Sequence, residues 1–125
     1  MIGGIGCDLC AIERMEKAVA KKGFLERVFT VQEREYCEKR LAHKYASLAG
    51  RFAAKEAVLK AFGTGLRGGK LQEIEVVTDK FGKPSIRLFG YFQKLAEQLG
   101  VVNWHLSLTH EQGYAAAFVV MEVEK

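Results

Sequence analysis

A single proline, three cysteines and no apolar run of bilayer-spanning length set the first limits on this 125-residue sequence. One proline leaves no room for a proline-rich linker, and no repeat or low-complexity tract breaks the chain. The length is that of one domain, residues 1–125, large enough for a real core. From Met1 to Cys7 no basic residue precedes an apolar stretch, so the start does not read as a signal peptide. Ile5-Gly6-Cys7 lacks the preceding segment that a lipoprotein signal needs. An odd number of cysteines without an export signal points to reduced thiols and a cytoplasmic location. Cys7 and Cys10 form a C-x-x-C, but only Cys37 and His43 follow, which argues against a structural zinc.

What is present is ordinary globular composition, 49% apolar and 27% charged, with a formal charge of +4. That charge favours anionic partners without choosing between nucleic acid, coenzyme phosphates and an acidic protein.

The most informative stretch is Arg51 to Gly65, RFAAKEAVLKAFGTG. It reads as the second half of a long helix that begins near His43 or Lys44 and ends at Gly63. At about 100° per residue, Tyr45, Leu48, Ala49, Phe52, Ala53 and Leu59 form one apolar stripe, and Glu56 falls inside it. A carboxylate there must be protonated, paired or bound to a cation, because stripping water from its charge costs several kcal/mol, on the order of the pairing energy itself. Lys60, one turn on, reaches Glu56 or whatever Glu56 holds. Gly63-Thr64-Gly65 and Gly68-Gly69-Lys70 then supply backbone that can approach a phosphate. The glycines follow the helix, so this is no Walker A loop, and phosphate there needs lysines or a metal for its positive charge.

Elsewhere, Met1 to Leu9 reads as an opening strand closed by Asp8, which is either a turn former or a metal or phosphate-site carboxylate. Ala11 to Lys22 reads as an amphipathic helix ended by Gly23, with Arg14, Lys17 and Lys21 on one basic face. Phe24 to Phe29 reads as a connector, and Thr30-Val31-Gln32-Glu33 as a capping box opening a helix to about Arg40. Leu71–Asp79 and Ser85–Phe89 read as strands around an Asp79–Pro84 turn, and Tyr91–Leu99 as a helix. Trp104–Thr109 and Tyr114–Val123 complete the pattern. In the former, Trp104, Leu106 and Leu108 face one side and His105, Ser107 and Thr109 the other. The fold class is α+β: an antiparallel sheet of three or four strands packed against a long helix and shorter helices. No nucleophile elbow accompanies Ser107 and His105, so a serine hydrolase is not indicated.

Three stretches together resemble the holo-acyl-carrier-protein synthase branch of the 4′-phosphopantetheinyl transferases. They are Ile5-Gly6-Cys7-Asp8-Leu9 with Glu13-Arg14, Arg51 to Lys60 through Gly65, and His105-Leu-Ser-Leu-Thr-His110; the turn Phe81-Gly82-Lys83-Pro84 is similar too. Cys7 departs from the pattern, since relatives usually carry Thr before the Asp. The resemblance implies transfer of the phosphopantetheine arm of coenzyme A to a serine of acyl carrier protein, releasing adenosine 3′,5′-bisphosphate. It implies that Asp8 and Glu56 hold Mg²⁺ and that Lys60 neutralises the phosphate as the bond breaks. It implies a coenzyme site lined by Arg51, Lys55, Lys60, Gly63, Thr64, Gly65, His105, Ser107 and Thr109. Arg14, Lys17, Lys21 and Arg27 would meet the acidic carrier. A homotrimer with sites between subunits is also implied, with neither nucleic acid nor membrane as partner. Two rival classes are a non-enzymatic basic module binding RNA or an acidic protein, and a magnesium-dependent nucleotide phosphohydrolase.

Overall fold

A computed structural model describes all residues, 1–125. Strand β1 (Ile2–Ala11) leads into helix α1 (Ile12–Val19), a one-turn helix α2 (Phe24–Val28) and α3 (Val31–Glu38). The long helix α4 (Lys44–Phe62) follows, then the hairpin β2 (Ile74–Thr78) and β3 (Pro84–Leu88), helix α5 (Gly90–Leu99), β4 (Val101–Glu111) and β5 (Tyr114–Val123). The α+β class holds, but the strands divide into two sheets. One is three-stranded and antiparallel, ordered β1-β5-β4, and the other is the β2-β3 hairpin. The connector after Gly23 is helical, because Gly23 at φ 84 starts α2 and does not simply stop α1. Leu71–Glu73 is a single 3₁₀ turn before β2.

Local chemistry explains the boundaries. Thr30 and Glu33 close both halves of the capping box: the Glu33 N–H donates to Thr30 Oγ1 (3.2 Å) and the Thr30 N–H to Glu33 Oε1 (3.0 Å). Gly63, at φ 80, ends α4 with its N–H bonded to the Leu59 carbonyl. Asp79 Oδ1 accepts from the N–H groups of Phe81 (2.8 Å) and Lys83 (2.9 Å), which fixes the hairpin turn.

Helix α4 is the axis of the core. Twelve of its 19 residues are buried, so it is covered well beyond one stripe. Its small residues lie against the inward side of β5, from which Ala115, Ala117, Val119 and Met121 point into the core. Strand β1 approaches just as closely. A side chain on Gly4 or Gly6 would overlap the carbonyl oxygens of Ala61 and Ala57, so glycine is what allows strand and helix to touch.

The wide coverage of α4 overturns part of the stripe reading. Arg51 and Lys55, which lie outside that stripe, are buried, whereas Glu56 sits half-buried at the margin of the core. The outer face of the larger sheet is left bare: Ile5, Leu9, Tyr114 and Phe118 are all more than half exposed there.

Candidate active site

The contact of β1 with α4 decides where Asp8 goes. Gly4 and Gly6 run along the helix toward its N-terminal half, so Asp8, the next inward-facing position, emerges beside Glu56 and Lys60. Lys60 points back along the helix, as helical side chains do, and donates to Asp8 Oδ1 (3.1 Å) and to the Cys7 carbonyl (2.9 Å). Cys7 therefore touches this site only through its backbone, which makes its departure from Thr inconsequential for this contact. Cys7 and Cys10 lie on opposite faces of β1, one exposed and one buried, and do not converge on one ion.

Asp8 and Glu56 line one cavity with Leu9, Cys10, Arg14 and Phe52. Burial pushes the Glu56 carboxyl above its ordinary value, the Asp8 charge pushes it further, and Lys60 pulls it back. No protein donor meets Glu56, so two neighbouring carboxylates border one cavity and a single ammonium, that of Lys60, is bonded to Asp8 alone of the two. That donor set suits Mg²⁺, which takes one or two carboxylates and completes its octahedron with water and phosphate oxygens. Lys60 and Glu56 also line a second cavity with Gly63 and Gly65, continuous with the end of α4. Thr64 is exposed beside it.

A third cavity, on another side of α4, gathers residues from five segments. Arg51 and Thr109 line it, as do Arg40, His43, Gly82, Pro84 and His110. Arg51 is held there firmly: its guanidinium donates to Thr78 Oγ1 (2.7 Å) and Ser47 Oγ (3.3 Å), and stacks 4.1 Å from the Tyr36 ring centre. Four side chains able to carry positive charge converge, a set suited to an anion. Of these, Arg40 and His43 escape a sequence reading, because neither belongs to a motif.

Three expected residues line neither that cavity nor the one past Gly63 and Gly65: Lys55, His105 and Ser107. Lys55 is fully enclosed, donating to Glu33 Oε1 (2.7 Å), the Leu71 carbonyl (3.0 Å) and the Ile74 carbonyl. All three ammonium hydrogens are used, so Lys55 is a core residue and the pocket-lining expectation is corrected. His105 and Ser107 lie on the outer face of the sheet, His105 Nε2 being 3.0 Å from Glu122 Oε1. That partnership holds the Glu122 carboxyl below its ordinary value.

The basic residues proposed to face a partner are all exposed. Arg14 borders the Asp8–Glu56 cavity, Lys17 pairs with Glu13 at 3.3 Å, Lys21 stands in the turn after α1, and Arg27 reaches the Lys22 carbonyl at 3.4 Å.

An α+β domain with a carboxylate pair at a strand–helix contact and a separate basic cavity defines the class of protein to look for. The model of the 4′-phosphopantetheinyl transferase superfamily matches residues 4–119. The holo-[acyl-carrier-protein] synthase of Ruminiclostridium cellulolyticum is 44% identical over 122 residues, 95% of this chain and 91% of the relative. A crystal structure of the synthase from Neisseria meningitidis superposes with a TM-score of 0.87 at 34% identity, covering 98% of this chain and 99% of the other. The Bacillus anthracis synthase in complex with coenzyme A (3′,5′-ADP) gives 0.82 at 36% identity, with 99% of each chain covered. This chain belongs to the 4′-phosphopantetheinyl transferase superfamily, among its holo-[acyl-carrier-protein] synthases. No helix is long and apolar enough to cross a membrane.

Proposed function

We propose that this chain moves the 4′-phosphopantetheine arm of coenzyme A onto a serine of acyl carrier protein, with Mg²⁺ held by Asp8 and Glu56. The carrying observation is the meeting of Asp8, Glu56 and Lys60 at one cavity edge. In the reaction the serine oxygen bonds to the phosphorus bearing pantetheine. The bond from that phosphorus to the bridging oxygen breaks, adenosine 3′,5′-bisphosphate leaves with the electron pair, and the serine proton is lost. The ion, when bound, would neutralise the diphosphate and stabilise the leaving oxygen. Lys60 is placed to take up charge on the same oxygens, and Gly63 and Gly65 leave room beside it. Arg14, at the rim, is placed to meet an acidic carrier as its serine approaches, with Lys17, Lys21 and Arg27 extending the positive field.

The working unit in this reading is a homotrimer in which the Arg51 cavity of one subunit completes the Asp8 site of the next. Two observations support it. Asp8 lies on β1 and Thr109 on β4, opposite edges of the sheet with α4 between them. Arg51 and Lys60 are nine residues apart, which puts them on opposite sides of α4 and about 13 Å apart along it. This separation favours a coenzyme shared between two subunits. The bare outer sheet face, with Phe118 at its centre, offers apolar surface for the contact.

The test incubates the protein with coenzyme A, Mg²⁺ and apo acyl carrier protein. The reading expects a mass gain of one phosphopantetheine on the carrier and its loss on chelation of the metal. Nucleotide cleavage without that gain would instead indicate a hydrolase, and no turnover at all a binding module.

A further inference from the structure

The ammonium of Lys60 occupies one of the two carboxylates that the proposed function assigns to the metal. It bridges Asp8 Oδ1 and the Cys7 carbonyl, so it is bound twice to β1 while Glu56 is left without any donor. An ammonium and a dication cannot both approach that Asp8 oxygen closely without strong repulsion, because like charges at contact distance are unfavourable even in water. For Asp8 to offer that oxygen, and with it a bidentate carboxylate, Lys60 has to let go.

The side chain is free to do so. Lys60 is 56% exposed, against 21% for Asp8, and its pairing is of the solvent-screened kind that is easily broken. Its stem already lines the cavity that runs past Gly63 and Gly65, where a side chain on either glycine would meet nothing within 4 Å. A diphosphate entering this cavity offers Lys60 stronger oxygen partners than Asp8 alone. The same swing frees Asp8 at the moment when phosphate oxygens arrive to complete a cation's coordination.

We propose that Lys60 is a lock on the metal site: it holds Asp8 in the free protein and is drawn off by the coenzyme's diphosphate, so that coenzyme and divalent metal bind cooperatively. This inference rests on the assignment of Asp8 and Glu56 as metal ligands. The coupling must be reciprocal, each ligand strengthening the other by the same factor.

The test measures Mn²⁺ binding to the intact protein by electron paramagnetic resonance, with and without coenzyme A and without carrier protein. Wild type, Lys60→Met, Lys60→Gln and Glu56→Gln are compared after circular dichroism confirms their folds. The lock predicts that both Lys60 variants bind Mn²⁺ alone at least several-fold, roughly fivefold, more tightly than wild type. Coenzyme A should tighten Mn²⁺ about tenfold or more in wild type and clearly less in the Lys60 variants. Mere removal of a fixed charge would tighten the metal but leave the coenzyme's factor unchanged, and that result overturns the lock while the metal assignment stands. Equal Mn²⁺ affinity in wild type and Lys60 variants overturns it as well. Failure of Mn²⁺ to bind wild type even with coenzyme A, or undiminished binding in Glu56→Gln, removes the metal assignment and the lock together.

Discussion

Lys55 and Glu33 form an ion pair with no exposed side-chain surface on either partner, Nζ to Oε1 2.7 Å. Burial pushes the Lys55 ammonium down from its ordinary value while Glu33 pulls it back up. Glu33 is further satisfied by the N–H groups of Thr30 and Val76 (2.8 Å), so the pair ties α3, α4 and β2 into one unit. Lys55→Met leaves a buried carboxylate without its cation and is expected to cost roughly 3–5 kcal/mol. Lys55→Met with Glu33→Gln removes the stranded charge and should recover about 1 kcal/mol or more of that loss. Urea unfolding of the three proteins measures both numbers, and an unchanged midpoint in Lys55→Met would refute the structural role.

Glu56 makes the opposite contribution. Its carboxyl is raised above the unfolded value by burial and by Asp8, so the folded state holds the proton more strongly than the unfolded one. A raised acid is destabilising wherever the pH lies above both values; the penalty fades as pH falls through the folded value and is gone below the unfolded one. In metal-free buffer Glu56→Gln should therefore melt a few degrees higher, roughly 2–5 °C, at pH 7.5, with the gain gone by about pH 4. The same variant should lose magnesium-dependent turnover. Calorimetry at the two pH values decides, and a variant less stable than wild type at neutral pH contradicts the sign.

The difference between these two charged residues marks how far the sequence could be read. The ends of α4, the capping box at Thr30 and the last strand follow from local signals, and each stands within a residue or two of its expected place. The helical wheel went wrong at Arg51, Lys55 and Glu56, because it assumes one buried stripe and α4 has neighbours on several sides. Small alanines around Lys55 were the available clue, since they admit close packing all round. Asp8, Glu56 and Lys60 were legible through their motifs. The basic cavity was legible only in part: Arg51, Thr109, His110 and the Gly82–Pro84 turn stand in recognisable motifs, whereas Arg40 and His43 are brought to them only by the tertiary fold.

Two glycines allow a direct check on what positions Asp8. Gly6→Ala would drive a methyl into the Ala57 carbonyl and force β1 off α4, whereas Gly50→Ala meets nothing within 4 Å. The first is expected to destabilise by about 1–3 kcal/mol and to lower kcat as Asp8 recedes from Lys60. The second should stabilise by about 0.5–1 kcal/mol, through the ordinary preference of a helix interior for alanine. Denaturation curves of both variants, with turnover of the first, test the pair; equal and small effects would show that the strand–helix contact does not set the site.

The proposed division of the coenzyme site between subunits has a consequence that single variants cannot show. Arg51→Gln disables only the basic cavity in this arrangement, and Glu56→Gln only the carboxylate pair, so each protein alone should be nearly inactive. In a mixed trimer with three sites between neighbours, one of the three combines the sound half of each chain and the other two do not. Random assembly makes three quarters of the trimers mixed, so equal co-expression should restore roughly a quarter of wild-type activity in a closed cyclic assembly. Phe118→Asp in both chains places charge at the centre of the outer sheet face, and should abolish this rescue together with the trimer seen by light scattering. Sites contained within one chain would give no rescue at any mixing ratio, because every chain carries a lesion in its own site.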